Sequence, residues 1–189
     1  MDLHKVLKNS YASRKKQKKA FLKDGYRYDK FLSNDNEQVY YNPNNKKLLM
    51  SVAGTHNLSD FGTDLYLAAG RLKDTNRYKE AESTLKRAKQ KYDVKNATIS
   101  GHSLGGAISQ YIASKGDQVY TLDKGATIGQ KTRSNEKAYR TSGDLISILN
   151  ANSTRMKTLK NPQIRSGKFL KDAYNAHNVD NIKNENIMI

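Results

Sequence analysis

The chain contains no cysteine and no long apolar run, and each absence narrows what it can do. Without cysteine there is no disulfide framework, no thiolate metal site and no cysteine nucleophile. The longest apolar stretches, LLMSVAG and LYLAAG, have the length of a core strand or core helix. They fall far short of the roughly 20 residues that span a bilayer. The N-terminal stretch MDLHKVLKNSYASRKKQ lacks the apolar h-region of a secretory signal. The expected location is therefore the cytoplasm or the inside of a packaged particle, not classical secretion. The histidines, at 4, 56, 102 and 177, form no close pair with metal-ligand spacing, so neither a metal nor another cofactor is expected. Acidic residues are scarce as well. There are 18 Asp and Glu against 34 Lys and Arg, giving a net charge of +16.

With 189 residues the chain fits one domain with a real core. Residues 1–30 carry ten Lys or Arg against Asp2, Asp24 and Asp29. They read as a basic N-terminal arm or helix ahead of a single domain over 31–189. Surfaces this basic attract polyanions, so an anionic membrane surface, a nucleic acid or an acidic partner is expected at the Lys/Arg faces. No feature of the pattern specifies an oligomeric state.

Segment 13–19, SRKKQKK, reads as a mobile arm or an exposed helix. QVYYN (38–42) and KLLMSVAG (47–54) flank a Pro/Asn turn and predict a hairpin. Residues 59–72 predict a helix with Ser59 as N-cap. In RYKEAESTLKRAKQKY the apolar positions Tyr78, Ala81, Leu85, Ala88 and Tyr92 form one stripe at helical spacing. NATIS (96–100) predicts a strand, 103–116 a helix stopped by Gly116, and QVYTLD (118–123) a strand. KAYRTS (137–142) and LISIL (145–149) look β-like, and 169–177 looks helical. Strands that alternate with helices predict an α/β layer fold with a sheet parallel at its centre.

Between the NATIS strand and the following helix lies ISGHSLGGA, with Ser103 between Gly101 and Gly105. Gly-x-Ser-x-Gly is weak as a bare pattern, but strand–motif–helix is the setting of a nucleophile elbow. A serine there is held in a strained backbone. The residues two before and two after it crowd together, which requires small side chains. Gly106 would let the helix lie close to the sheet. A serine nucleophile needs a base and an acid, in the chain order serine, acid, histidine on such a sheet. His177 is the one histidine downstream and is the base by elimination. His102 is expected to point away as a hydrogen-bonded flank. Asp117, Asp123, Asp144 and Asp172 are the candidate acids, with Asp123 and Asp144 both placed after strands. An oxyanion hole would use the N–H of Leu104 and a donor after an earlier strand, where Gly54-Thr55 closes LLMSVAGT.

The segments LLMSVAGTHNLSDFGTDL, ISGHSLGGAISQYIA, VYTLDKGATIG and AYRTSGDLISIL, followed by a late histidine, resemble the class 3 (fungal-type) lipases. The resemblance covers roughly residues 38–180. It implies an α/β-hydrolase-like three-layer fold with a mostly parallel central sheet. It also implies a serine ester hydrolase acting on lipid or phospholipid acyl esters, with Ser103, Asp144 and His177 as catalytic residues and Thr55 and Leu104 at the oxyanion hole. Asp144 rather than Asp123 fits the family's acid. Two departures stand out: Ala53 replaces the arginine that usually precedes the oxyanion glycine, and Asp123-Lys124-Gly125 replaces a Gly-x-Pro turn. The short chain implies a reduced or absent lid. A compact, very basic chain of this kind is also similar to lipase-like proteins carried by some large DNA viruses. That implies a virion as the particle, with a structural role binding nucleic acid or an acidic partner as the alternative to catalysis.

Overall fold

The computed structural model describes residues 1–55, 71–125, 131–144, 147, 155–160, 172 and 175–189. Seven strands form one sheet in sequential order: β1 (Arg27–Tyr28), β2 (Glu37–Asn42), β3 (Lys47–Val52), β4 (Thr98–His102), β5 (Gln118–Leu122), β6 (Glu136–Thr141) and β7 (Met156–Leu159). The first three pair antiparallel. From β3 to β7 every pair is parallel. The predicted hairpin is β2–β3, in register from Glu37 opposite Val52 to Asn42 opposite Lys47.

Among the described residues four helices accompany the sheet: α1 (Leu3–Ser10), α2 (Arg14–Lys19), α3 (Asn76–Tyr92) and α4 (Leu104–Ile112). Alternation along the strands sorts side chains into two layers. Leu48, Met50, Val52, Ile99 and Val119 face α3 and α4, meeting Leu85, Ala88, Ala107 and Ile108 in one core. On the opposite face Leu49 and Tyr40 meet Val6, while Tyr120 and Leu122 meet Leu3 and Leu7. The molecule is thus a three-layer α/β fold with a mostly parallel sheet.

Helix α3 follows its predicted stripe, with Thr75 capping the N–H of Tyr78 through its side chain. Strand β4 runs two residues past NATIS, to His102. Helix α4 ends at Ile112 instead of reaching Gly116, because Ala113 leaves helical space at φ −68°, ψ 136°. The 13–19 segment is the helix of the two alternatives, α2. Helix α1 gives the helix alternative of residues 1–30 its bounds, while strands β1 and β7 are additions to the sequence reading. The C-terminal residues pair with the start of the chain. Asp2 bridges Met188, and the N–H of Leu3 bonds the Ile187 carbonyl at 2.8 Å. The predicted helix over 59–72 falls outside the described residues except at its end, where Leu72 opens a 3-10 turn. Most of 145–149 and 169–177 also lies outside them.

Candidate active site

Because β3 to β6 run parallel in register, their C-terminal ends reach one edge of the sheet together. Gly54-Thr55 leaves β3 there, Ser103 leaves β4, Asp123 leaves β5, and Asp144 follows β6. Such an edge is where open α/β sheets present their reactive groups.

Ser103 has φ 58° and ψ −129°, a strained conformation for a residue with a Cβ. It is the N-cap of α4, so the N–H groups of Leu104 and Gly105 and the positive end of the helix dipole face its surroundings. The glycines explain how so sharp a turn packs. A Cβ on Gly101 would overlap the Gly105 carbonyl, and one on Gly105 would overlap the carbonyls of Val52 and Ala53. A Cβ on Gly54 would stand 2.9 Å from the His102 carbonyl and 3.0 Å from Ser103 Cβ. The close approach brings Gly54-Thr55 against the elbow, where the oxyanion donor was expected. Gly106 backs onto Lys124, whose Cβ would be 2.9 Å from an added methyl.

His177 is buried, and its Nδ1 lies 2.9 Å from Asp144 Oδ1. Burial alone would raise the Asp144 pKa. The hydrogen bond and charge of His177, with bonds from Ser147, hold it below the usual carboxylate value instead. With Nδ1–H donated to Asp144, Nε2 is the nitrogen positioned to take a proton. Ser103 Oγ, also buried, has no hydrogen-bond partner among the described residues, so the Ser103–His177 bond is not formed in this conformation. Catalytic bonds of this kind often tighten only with substrate.

His102 does not point away from the site. Its ring lies 4.6 Å from that of His177, and its Nε2 is 2.9 Å from the His177 carbonyl. Its Nδ1 is 2.8 Å from the hydroxyl of Tyr11, which also accepts the Gly54 N–H at 2.8 Å. A carbonyl can only accept, so Nε2 carries the His102 proton and Nδ1 is the acceptor. Tyr11 therefore donates its hydroxyl proton to Nδ1. One directional chain runs from the Gly54 N–H through Tyr11 and His102 to the backbone of His177. Burial and the neighbouring His177 push the His102 pKa well below its ordinary value, so the ring stays neutral as this chain requires. Burial pushes the Tyr11 hydroxyl up to about 12.

Sequence reading missed Tyr11 and also Arg77, whose guanidinium bonds the Ala53 carbonyl at 2.7 Å. The Ala53 carbonyl is thus held by an arginine from α3. Asp123 makes no bond to His177. One oxygen accepts the Thr141 N–H and the other the Thr141 hydroxyl at 2.9 Å. Burial and the charge of Asp144 push its pKa up to about 7. Lys124 is fully buried and pairs with buried Glu136 at 2.7 Å. The departure from Gly-x-Pro is thus filled with polar groups that have partners. His102, Asp123 and His177 offer atoms within 4.8 Å of one another, a spacing at which a metal could be shared. Both His102 nitrogens already hold the bonds to Tyr11 and to the His177 carbonyl, so a metal taken by all three residues would have to break one of them.

No protein-family model matches this chain, and no curated protein matches it. Solved structures do. The native Rhizomucor miehei lipase propeptide complex aligns over 76% of this chain and 60% of its own at 14% identity, with a TM-score of 0.48. A deletion mutant of the same complex aligns equally well over this chain. The Yarrowia lipolytica Lip2 lipase aligns over 72% of this chain and 66% of its own at 16% identity, TM-score 0.40. The chain thus spans about three-fifths of the Rhizomucor structures.

Proposed function

We propose that the protein is a serine hydrolase of carboxylic esters, acting on lipid acyl esters. The observation that supports this most is a strained, buried Ser103 at a helix N-terminus beside a buried His177 whose Nδ1 is held by Asp144. In this reading Ser103 Oγ attacks the ester carbonyl and His177 Nε2 takes its proton. Asp144 fixes the imidazole tautomer and stabilises the imidazolium. The N–H of Leu104 and the Thr55 side of the β3 exit hold the oxyanion. His177 then protonates the leaving alcohol, and water attacks the acyl-serine by the reverse sequence to release the acid.

The test is hydrolysis of p-nitrophenyl butyrate, a soluble ester, by the wild type and by Ser103→Ala. Turnover should fall by about a thousandfold or more in the variant. Equal turnover by both would overturn the reading.

A further inference from the structure

The sequence of α2 is RKKQKK, with no acidic residue. Arg14, Lys15, Lys16, Lys18 and Lys19 are all exposed, and Gln17 alone turns inward, 3% exposed. Cations three and four apart on a helix repel one another. A helix this short has no standing of its own in water. Its fixed place comes from Gln17, whose amide bonds the Ala12 carbonyl at 3.0 Å while Tyr28 and Tyr40 donate to its side-chain and backbone oxygens. Arg14 pairs with Asp35 at 3.0 Å. No carboxylate among the described residues pairs with Lys15, Lys16, Lys18 or Lys19. The fold therefore holds a self-repelling cluster in one position without neutralising it.

The position is next to the site. Tyr11, three residues before α2, touches Gly54 and His102. Asp35, which Arg14 grips, precedes Asn36, whose carbonyl accepts the Ala53 N–H at 2.8 Å. The first turn of α2 thus flanks the end of β3 that faces Ser103. Leu22, just beyond the helix, is 54% exposed.

We propose that α2 docks the protein on an anionic lipid surface beside the mouth of the site. Its lysines are point charges on flexible stems, which suit a diffuse negative surface better than the bidentate reading of single phosphates. An exposed leucine beside a basic cluster fits the boundary of headgroups and acyl chains. Residues 14–19 interleave no aromatic ring on which nucleic-acid bases could stack. The inference rests on the ester-hydrolase reading for its purpose, but the docking is measurable without turnover.

The experiment is sedimentation of the full chain with vesicles of phosphatidylcholine, with and without phosphatidylglycerol, at several salt concentrations. Wild type and Ser103→Ala should bind the phosphatidylglycerol vesicles equally, release them as salt rises, and ignore phosphatidylcholine alone. Substituting Lys15, Lys16, Lys18 and Lys19 together with Glu should weaken binding by about a hundredfold or more, with p-nitrophenyl butyrate turnover retained. If the Glu set does not fold, the Gln set reads the same loss. Binding that ignores phosphatidylglycerol, binding untouched by the four substitutions, or tighter binding of duplex DNA at the same salt overturns the proposal. Failure of the hydrolase reading would show separately, as absent turnover of the soluble ester with vesicle binding intact.

Discussion

The hydroxyl of Tyr11 sits where three parts of the site meet: the β3 exit, the elbow histidine and, through that histidine, the backbone of His177. Tyr11→Phe leaves the buried Gly54 N–H without its acceptor and frees the His102 tautomer. The expected cost is about 1–3 kcal/mol of stability. On the ester-hydrolase reading, in which Gly54-Thr55 lines the oxyanion side, turnover of p-nitrophenyl butyrate should fall about tenfold or more in kcat with KM little changed. Unchanged kcat would mean that Tyr11 only packs. Asp123 makes a different prediction. Its pKa rises from 3.8 unfolded to about 7 folded, so between those values the native state holds a proton that the unfolded chain has lost. Stability from this group is therefore lost as pH rises from about 4 to about 7. Asp123→Asn does not titrate, so its melting temperature relative to wild type should climb between pH 4.5 and pH 8. A constant difference across that range would contradict the assignment. Ser103 and His177 were readable as candidates from the elbow pattern and the chain order, whereas four acids stayed open until the resemblance singled out Asp144, which contacts His177 in the structure. Tyr11 was not readable, since its bonds to Gly54 and His102 span 43 and 91 residues of sequence and no local pattern announces them.

At the level of elements, the strand–elbow–helix unit depends on backbones meeting where side chains cannot fit. Gly105→Ala would drive a methyl into the Val52 and Ala53 carbonyls. The variant should lose the cooperative thermal transition or shift it far down, and native-like melting would show that the close approach is not as described. The hairpin β2–β3, helix α3 and the β4–α4–β5 unit were readable because period-two and helical spacings are strong there. Helix α1 carries such a signal too, with Leu3, Val6, Leu7 and Ser10 buried at helical spacing. Its short length and the basic residues around it left the choice between arm and helix open in the sequence. Strand β1 has two residues and β7 four, too few for any periodicity to register. The extent of α4 was misjudged because Gly116 looked like the stop, whereas the backbone turns at Ala113.

For the whole molecule, the sheet topology gathers the candidate site at one edge. The parallel strands deliver Thr55, Ser103, Asp123 and Asp144 to a single edge. The N-terminal thirty residues, read in sequence as a basic arm or helix, contribute buried Leu3, Val6 and Leu7 to the layer under the sheet and Tyr11 to the candidate site. No helix among the described residues is long and apolar enough to cross a membrane. If catalysis belongs to Ser103, one measurement reaches it without assuming a natural substrate. A fluorophosphonate probe should add a single adduct to the intact protein, peptide mapping should place it on Ser103, and Asp144→Asn should slow its formation by orders of magnitude. No adduct, or an adduct on another serine, would contradict the account.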